Sequence, residues 1–401
     1  MSGKHIFQIP FLKDHHNHLS LYSLLFKCPS LQGVLQKTDA LNMIRALDKD
    51  SLSVVLGWNS GHYDFTPIEL EEFPPVIIVN LSLHGFIMSK KAEEIMKPSH
   101  PEIVKNYRNT EWYERHFPNM LIFLANCVPA RDGLLTDFFQ AMEQKGIYYI
   151  EDMLLPNEPI LNAIQHSSYA QRTAIWADPG TFHSLNENSR TFIKGIKLFT
   201  DGALGARTAA IRKPFKDGST GYLLHSDDVL YRAMAEATSL KKGVSVHAIG
   251  EDATAQVVRV TQQLKQDGIQ FSLLRMEHCQ FIMESVAREA KELGIVLSMQ
   301  PNFSIDSIDY SDRMEQWYLE NNNPFRMLID NAGFVPGEDL IFGSDGMPHG
   351  ADAALNAALF PPYPIQKLSI DEFVAGYCMP DQSTGVINVE IKDNKAFTDL
   401  K

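Results

Sequence analysis

One repeating pattern constrains the fold of this chain more than any other feature. From about residue 134 onward, an amphipathic helix-like segment, a glycine that can cap it and a short apolar run rich in β-branched residues follow one another several times. Two examples are "LYRAMAEATSLKKG" before "VSVHAIG" and "VAREAKELG" before "IVLSMQP". Helices that alternate with buried strands are typical of a parallel sheet with helices on its faces. The pattern therefore predicts an α/β fold.

The strand-like runs of this series, together with one near the N-terminus, number eight. They are residues 6–16, 147–151, 173–177, 193–199, 244–248, 273–278, 295–300 and 340–344. Eight is the number of strands that closes a TIM-type barrel, and such barrels fill a chain of 401 residues as one unit. We therefore predict a (β/α)8 TIM-type barrel in a single domain over residues 1–401, with a C-terminal extension at 350–401.

A long stretch, residues 51–125, separates the first barrel strand from the second and reads as an insertion. It contains the strand-like runs "SVVLGW" and "PPVIIVNLSLH" and is rich in aromatic residues. Because it leaves the barrel after strand 1, we expect it to cap the C-terminal mouth, where the active sites of barrels form. Its aromatic side chains either line that mouth or form a core of the insertion itself, and both readings stay open.

Charge and cysteine content narrow the class of protein. A formal net charge of −13 without clustered lysine and arginine argues against nucleic acid as a partner. The four cysteines show no paired or CxxC spacing, which fits a reducing compartment. Neither a signal-peptide pattern at the N-terminus nor an apolar run of about 18 residues occurs. These features predict a cytoplasmic protein with no membrane partner.

Residues able to bind metal stand at the C-terminal ends of the predicted strands. Strand 1 ends in "HNH", and the alternation of side chains along a strand places His16 and His18 on one face. His15 then points to the opposite face and is not expected to be a ligand. The remaining candidates, each at a later strand end, are Lys197, His247, His278 and Asp345.

Each of these positions alone supports little. A lone histidine near a strand end is more often a hydrogen-bonded structural residue than a ligand, and Lys197 alone would be read as a snorkelling or ion-paired lysine. Together these residues are a stronger indication of a metal site than any of them alone, because imidazole and carboxylate are the ligand types that zinc, manganese and iron prefer. Their coincidence at one end of one barrel predicts a metal site.

These motifs resemble those of the amidohydrolase superfamily, and within it the branch of N-substituted formamide deformylase-like proteins. The matching stretches run in the family's order from residue 14 to about 350. They are "KDHHNHL", "GWNSGHYDF", "NLSLHGFIMSKKA", "GIKLFTDGALGARTAAI", "VSVHAIGEDA", "LRMEHCQ", "LSMQPNF" and "IFGSDGMP". The HxH pair and the aspartate of strand 8 are common to the superfamily, whereas "IKLFTDGALGARTA" and "HAIGEDA" are specific to the branch.

The resemblance implies one or two divalent ions, zinc first, with manganese or iron as alternatives. It implies that His16 and His18 hold one ion and that His247 and His278 hold the other. Lys197 would be carboxylated by CO2 and bridge the two ions, since a carbamate offers two oxygens where a neutral amine offers none.

The implied reaction is hydrolysis of a carbon–nitrogen bond other than a peptide bond, in an amide or cyclic amide of a small molecule. Two divalent ions lower the pKa of a shared water toward about 7, so that hydroxide is available at neutral pH. In this scheme Asp345 contacts the first ion, accepts the proton of the water and later delivers it to the leaving amine.

Three further residues are predicted to bind substrate. The resemblance places His84, in the insertion, where it can reach substrate. Asp201 and Arg207 follow the bridging lysine in "DGALGARTA". They shape the loop, bind a polar group of the substrate, or form an ion pair with no ligand role.

Three charged residues beside the ligands are interpreted as supporting groups. Glu251, Arg275 and Glu277 are expected to orient His247 and His278.

The chain departs from its relatives outside the barrel. They carry a β-sandwich built from segments before and after it, whereas here about 13 residues precede the metal motif and the tail "GVINVEIKDNKAF" offers one or two strands. We therefore expect the companion sandwich to be missing or reduced. The barrel face that it normally covers would then be exposed or used for self-association, which leaves a homo-oligomer open.

Two alternative functions stay open at this point. The same metal barrel could act as an ester hydrolase, isomerase or decarboxylase, because a fold does not determine the chemistry. A catalytically silent barrel could instead bind a small molecule or a partner. Against the second reading, every expected ligand position is filled.

Overall fold

A computed structural model describes residues 5–81, 83–128 and 133–400. Its strands, in chain order, are β1 His5–Pro10, β2 Leu12–Asn17, β3 Ser53–Trp58, β4 Val76–Asn80, β5 Phe86–Met88, β6 Ile147–Asp152, β7 Thr173–Ala177, β8 Ile193–Phe199, β9 Gly243–Ala248, β10 Leu274–His278, β11 Val296–Met299, β12 Leu340–Phe342, β13 Val386–Lys392 and β14 Lys395–Leu400.

The α-helices of the described residues lie between β2 and β13 in the chain. They are α1 Leu19–Leu25, α2 Lys37–Arg45, α3 Pro67–Glu72, α4 Lys90–Met96, α5 Pro101–Asn106, α6 Thr110–Arg115, α7 Phe117–Cys127, α8 Leu134–Glu143, α9 Glu158–Gln165, α10 Pro179–Ser184, α11 Glu187–Thr191, α12 Asp227–Ser239, α13 Glu251–Gln266, α14 Glu284–Glu292, α15 Asp306–Asp309, α16 Gln316–Asn321, α17 Ala351–Leu359 and α18 Ile370–Tyr377. Within the described ranges, none of them combines the length and apolar character needed to cross a membrane.

Eight parallel strands form the main sheet, in the order β2, β6, β7, β8, β9, β10, β11, β12. Helices α12 and α13 pack against β9, and α18 packs against β2 and β12. The sheet closes where the end of β12 meets β2, because the backbone amide of Asp345 donates to the carbonyl of His16 at 2.7 Å. Glycine is required at this junction, since a Cβ on Gly343 would lie 2.3 Å from the backbone nitrogen of His16. The predicted (β/α)8 barrel is confirmed.

The first predicted strand is wrong in one respect, since residues 6–16 form two strands in different sheets. β1 pairs antiparallel with β13, which pairs with β14, whereas β2 joins the barrel. Pro10 has no amide hydrogen with which to extend a ladder. After it, the amide of Phe11 donates to the carbonyl of Gly385, and that of Leu12 to Gly146 at the start of β6. The tail thus supplies two strands, β13 and β14, to a three-stranded sheet with β1.

The chain divides into two compact units. One comprises the described parts of residues 1–20 and 136–401, and the other spans Leu21–Leu135. The predicted insertion at 51–125 lies inside the second unit, which has its own sheet of β3, β4 and β5. Tyr63, Phe65 and Phe73 are buried in a shared core there. These aromatic side chains therefore form a core within the unit, and its role as a cap of the barrel mouth stays a prediction.

Candidate metal centre

The candidate ligands come from the C-terminal ends of five barrel strands. His16 lies in β2 with His18 just beyond it, Lys197 lies in β8, and His247 in β9. His278 ends β10, and Asp345 follows β12. Because parallel strands all end at the same rim of a barrel, these residues converge although they are far apart in the chain.

The closest group consists of His16, His278 and Asp345. Each of them offers a ligand atom, and these atoms lie within 4.8 Å of one another. His18 joins the group, since its Nε2 lies 3.1 Å from Oδ1 of Asp345. The ring of His247 is 4.6 Å from that of His278, measured between centroids. The structure thus brings all four predicted histidines and the aspartate together.

Lys197 is buried beside this group. Its side chain is 1% exposed, and its Nζ has no hydrogen-bond partner among the described residues. Burial lowers the pKa of Lys197 to about 8, although Glu277 and Asp345 act in the opposite direction. A buried amine without a hydrogen-bond partner, next to imidazole and carboxylate donors, has the composition of a divalent-metal site rather than of a structural ion pair. The residues therefore fit a divalent ion.

The charge of Asp345 favours a bound cation. Burial would raise the pKa of this carboxyl, but His16 and His18 hold it below its ordinary value, so the group is ionised near neutral pH. Its backbone, like that of His278, lies in the left-handed region, with φ of 53° and 70° respectively. Such backbone conformations cost on the order of 1–3 kcal/mol in non-glycine residues, so the surrounding contacts must hold these two ligands in place.

Two of the histidines are oriented by hydrogen bonds from the ring nitrogen that does not face the group. Nδ1 of His16 donates to Oε2 of Glu277 at 2.7 Å, and Nδ1 of His278 donates to Oε1 of Gln300 at 2.7 Å. The expectation that Glu277 orients His247 and His278 is therefore wrong.

Glu277 belongs to a buried charge cluster beneath the centre. Nε of Arg275 lies 2.9 Å from Oε1 of Glu277, and its Nη1 lies 2.8 Å from Oε2 of Glu151. Burial disfavours the ionised carboxyl, but Arg275 and His16 hold the pKa of Glu277 well below its ordinary value. Arg275 also donates to the backbone carbonyl of His15, which anchors β2 beneath the HxH pair.

The sequence profile of the amidohydrolase family matches residues 124–353, more than half of the chain. The chain belongs to the amidohydrolase family. It is therefore a metal-dependent hydrolase built on a (β/α)8 barrel.

A named relative agrees with this membership. The present chain is 32% identical over 387 residues to YtcJ of Bacillus subtilis (strain 168), which is named as a proposed amidohydrolase. The match covers 86% of this chain and 71% of YtcJ.

Solved structures share the fold. The amidohydrolase superimposes on an uncharacterized metal-dependent hydrolase from Pyrococcus horikoshii OT3 with a TM-score of 0.64 at 22% identity, covering 89% of this chain and 75% of the other. For an uncharacterized metal-dependent hydrolase from Pyrococcus furiosus the TM-score is 0.65 at 20% identity, with coverage of 97% and 88%.

Asp201 is almost wholly buried in the amidohydrolase. Its Oδ2 accepts from the backbone amides of Ala210 and Gly250 at 2.9 Å each, and its Oδ1 accepts from Ile249 at 3.0 Å. Oδ1 also lies 3.3 Å from Nε2 of His247. Asp201 thus ties the loop after β8 to the loop after β9, and its predicted contact with substrate stays a prediction.

Arg207 forms no ion pair with Asp201. It pairs instead with Asp217 at 3.1 Å, and its own φ of 58° marks a tight turn. His84 lies in the other compact unit, where its Nδ1 is 3.0 Å from Oε2 of Glu114 and its ring stacks on Phe117. Substrate binding by these two residues also stays a prediction.

The remaining supporting residue, Glu251, is committed elsewhere. Its carboxylate accepts from the hydroxyl of Tyr318 at 3.0 Å and from the backbone amide of Arg212 at 3.1 Å. The expected orientation of His247 by Glu251 is therefore wrong among the contacts described, since Nε2 of His247 lies 3.0 Å from the carbonyl oxygen of Gly202 and 3.3 Å from Oδ1 of Asp201.

Sequence reasoning missed Gln300 and Asp14. Gln300 directly follows β11, so the strand-end argument that found the ligands would have found it as well. Asp14 accepts from the backbone amide of Ser344 at 2.8 Å and from its hydroxyl at 2.5 Å, which holds the loop that carries Asp345. Nothing local marks Asp14, since its partner lies 330 residues away.

Proposed function

We propose that this amidohydrolase cleaves a carbon–nitrogen bond, in an amide or cyclic amide of a small molecule other than a peptide, at a centre for two divalent ions, zinc first. The observation that carries the proposal is the convergence of His16, His278 and Asp345 within 4.8 Å beside the buried, unpartnered Nζ of Lys197. A site built only to stabilise the barrel would not leave a buried lysine without a hydrogen-bond partner among the described residues.

Each residue has a distinct role in this proposal. His16, His18 and Asp345 would hold one ion, and His247 and His278 would hold the other. Lys197, carboxylated by CO2, would complete the ligand set of both ions. When bound, ions of this kind lower the pKa of water toward about 7 and polarise a carbonyl.

Asp345 moves the proton. As an ionised carboxylate at the rim of the barrel, it accepts the proton that the attacking water loses. It then delivers that proton to the departing nitrogen, which needs it because an amide anion is a very poor leaving group. An ester needs this delivery far less, since an alkoxide leaves more readily.

The test combines metal analysis with a matched substrate pair. The full chain is stripped with a chelator, reloaded separately with Zn²⁺, Mn²⁺ or Fe²⁺ in bicarbonate buffer, and assayed on amides and on esters that share the same acyl group. We expect about two equivalents of metal per chain and amide turnover that is lost on stripping and restored on reloading. Ester turnover alone would favour the ester hydrolase, and full metal content without any turnover would favour the silent barrel.

A further inference from the structure

We propose that the two ion positions differ in affinity, and that the position held through His16 binds its ion more tightly than the position held through His278. The reason is the residue behind each imidazole, a carboxylate in one case and a neutral amide in the other. This inference rests on the proposed two-ion centre.

The two histidines are matched in the hydrogen bonds that their rings form. Both use Nδ1, both bonds are 2.7 Å long, and both acceptors are buried. The ionised Glu277 can only accept, so Nδ1 of His16 carries the hydrogen and Nε2 presents its lone pair. Gln300 has the same effect on His278, because its Nε2 is directed at the carbonyl of Ser298 and its Oε1 is left to accept. Both rings therefore offer Nε2 to an ion.

Charge distinguishes the two. Arg275 and the hydroxyl of Ser245, which donates to Oε1 of Glu277 at 2.7 Å, keep that carboxylate ionised. An anionic acceptor makes the imidazole a more basic ligand and adds negative charge near the cation. Arg275 does not cancel this charge, since the same guanidinium also pairs with Glu151.

The neighbouring ligands act in the same direction. Oδ1 of Asp345 lies 3.6 Å from Nε2 of His16, so this position has a second carboxylate. At the other position Oδ1 of Asp201 lies 3.3 Å from Nε2 of His247, but the two oxygens of Asp201 already accept from three backbone amides. Removal of a hydrogen-bonding partner of a metal-bound histidine typically changes metal affinity by about 10–100-fold.

The experiment exchanges the two partners. Zn²⁺ is titrated into the chelator-stripped full chain in bicarbonate buffer, and calorimetry with elemental analysis gives the two stepwise affinities. We expect Glu277→Gln to weaken the tighter step by about 10–100-fold and to change the weaker step by only a few-fold. Gln300→Glu should strengthen the weaker step by about 10-fold. Glu292→Gln, an exposed residue of α14, makes the same change of charge and should alter neither step.

The outcomes separate this inference from the function on which it rests. A wild-type chain that binds no zinc overturns the two-ion centre itself. Two equal zinc affinities in the wild type would overturn the inference but not the two-ion centre. The same holds if Glu277→Gln loses only the weaker zinc-binding step. If Glu277→Gln does not fold because Arg275 loses its partner, the Gln300→Glu variant decides. Gln300 has no contact with Arg275 among those described. Zinc affinities in Gln300→Glu that equal those of the wild type would overturn the inference.

Discussion

The backbone amide of Asp345 donates a hydrogen bond to the backbone carbonyl of His16 at 2.7 Å. This bond joins the last barrel strand to the first, and it also places the Asp345 carboxylate 3.6 Å from Nε2 of His16. The same contact therefore closes the barrel and brings two candidate metal ligands together. A change that loosens this junction should affect metal binding and stability together.

Lys197→Ala should lose most of the bound metal. The variant has no Nζ to carry the carbamate, so the carbamate oxygens are lost as ligands. We expect kcat/KM to fall by on the order of 100-fold, the scale seen when groups that support a metal are removed. Added formate, acetate or propionate should restore part of the activity by filling the vacated space. Lys194→Ala, on the same strand but 36% exposed and paired with Glu151, should keep its metal. Full activity and metal content in Lys197→Ala would remove Lys197 from the mechanism.

Asp345→Asn should lower kcat far more than it changes KM. The amide cannot accept a proton from water, and the loss of a positioned proton-transfer group costs about 10²- to 10⁴-fold in rate. Metal content is measured on the same sample, because the carboxylate is also a proposed ligand. Asp352→Asn, at an exposed position in α17, is the matched control. Amide turnover near that of the wild type would show that another group moves the proton.

Asp201→Asn should destabilise the fold. Three backbone amides would share one oxygen and meet an NH2 group in place of the other, and each buried donor left unsatisfied costs about 1–3 kcal/mol. We expect the free energy of unfolding to fall by about 3 kcal/mol in denaturant titrations. Asp217→Asn, the exposed partner of Arg207, should change it by less than about 1 kcal/mol. If instead Asp201→Asn raises KM without loss of stability, Asp201 binds substrate.

Asp306 should make stability depend on pH. Burial raises the pKa of this carboxyl to about 7, with Asp309 acting in the same direction and with Gln280 and Arg313 opposing it. The pKa of Asp306 is higher in the folded state than in the unfolded state. The stability that its protonated carboxyl contributes is therefore complete below about pH 4 and is lost as the pH rises through about 7. The slope in this window is at most about 1.4 kcal/mol per pH unit.

The measurement compares unfolding of the wild type with that of Asp306→Asn between pH 4 and 8. The variant keeps an acceptor for Nε2 of Gln280, which donates to Asp306 at 2.9 Å, but it has no charge to bury. Relative to the wild type it should gain stability as the pH rises to 7 and show no further gain above. Asp228→Asn, at an exposed position in α12, should show a smaller change. Curves for the wild type and Asp306→Asn that run parallel across this range would contradict the prediction.

Much of the fold and of the ligand set could be predicted because their signals are local. Seven of the eight barrel strands lie within a few residues of their predicted positions, since each is an apolar run that follows a capped helix. The six candidate ligands were found because barrel strands end at one rim. The first strand was misjudged because the exchange of partners at Pro10 depends on Gly385 and Gly146, which are distant in sequence.

Supporting contacts of the site could not be predicted in the same way. Proximity in the chain favours Glu251, Arg275 and Glu277 as partners of His247 and His278. In the structure Glu277 contacts His16 across 261 residues, and Gln300 contacts His278. Which buried polar groups meet across a barrel depends on strand register and on backbone dihedral angles such as the left-handed φ of His278.

By itself, the sequence determined the barrel, the residues at its rim and the metal-dependent class of chemistry, because periodicity and ligand type are properties of short segments. Only the tertiary structure decided which carboxylate supports which imidazole, and that Asp201 ties loops together in this centre. Those pairings follow from the closing contact between Asp345 and His16 and from burial, where a charge persists only if its partners are in place.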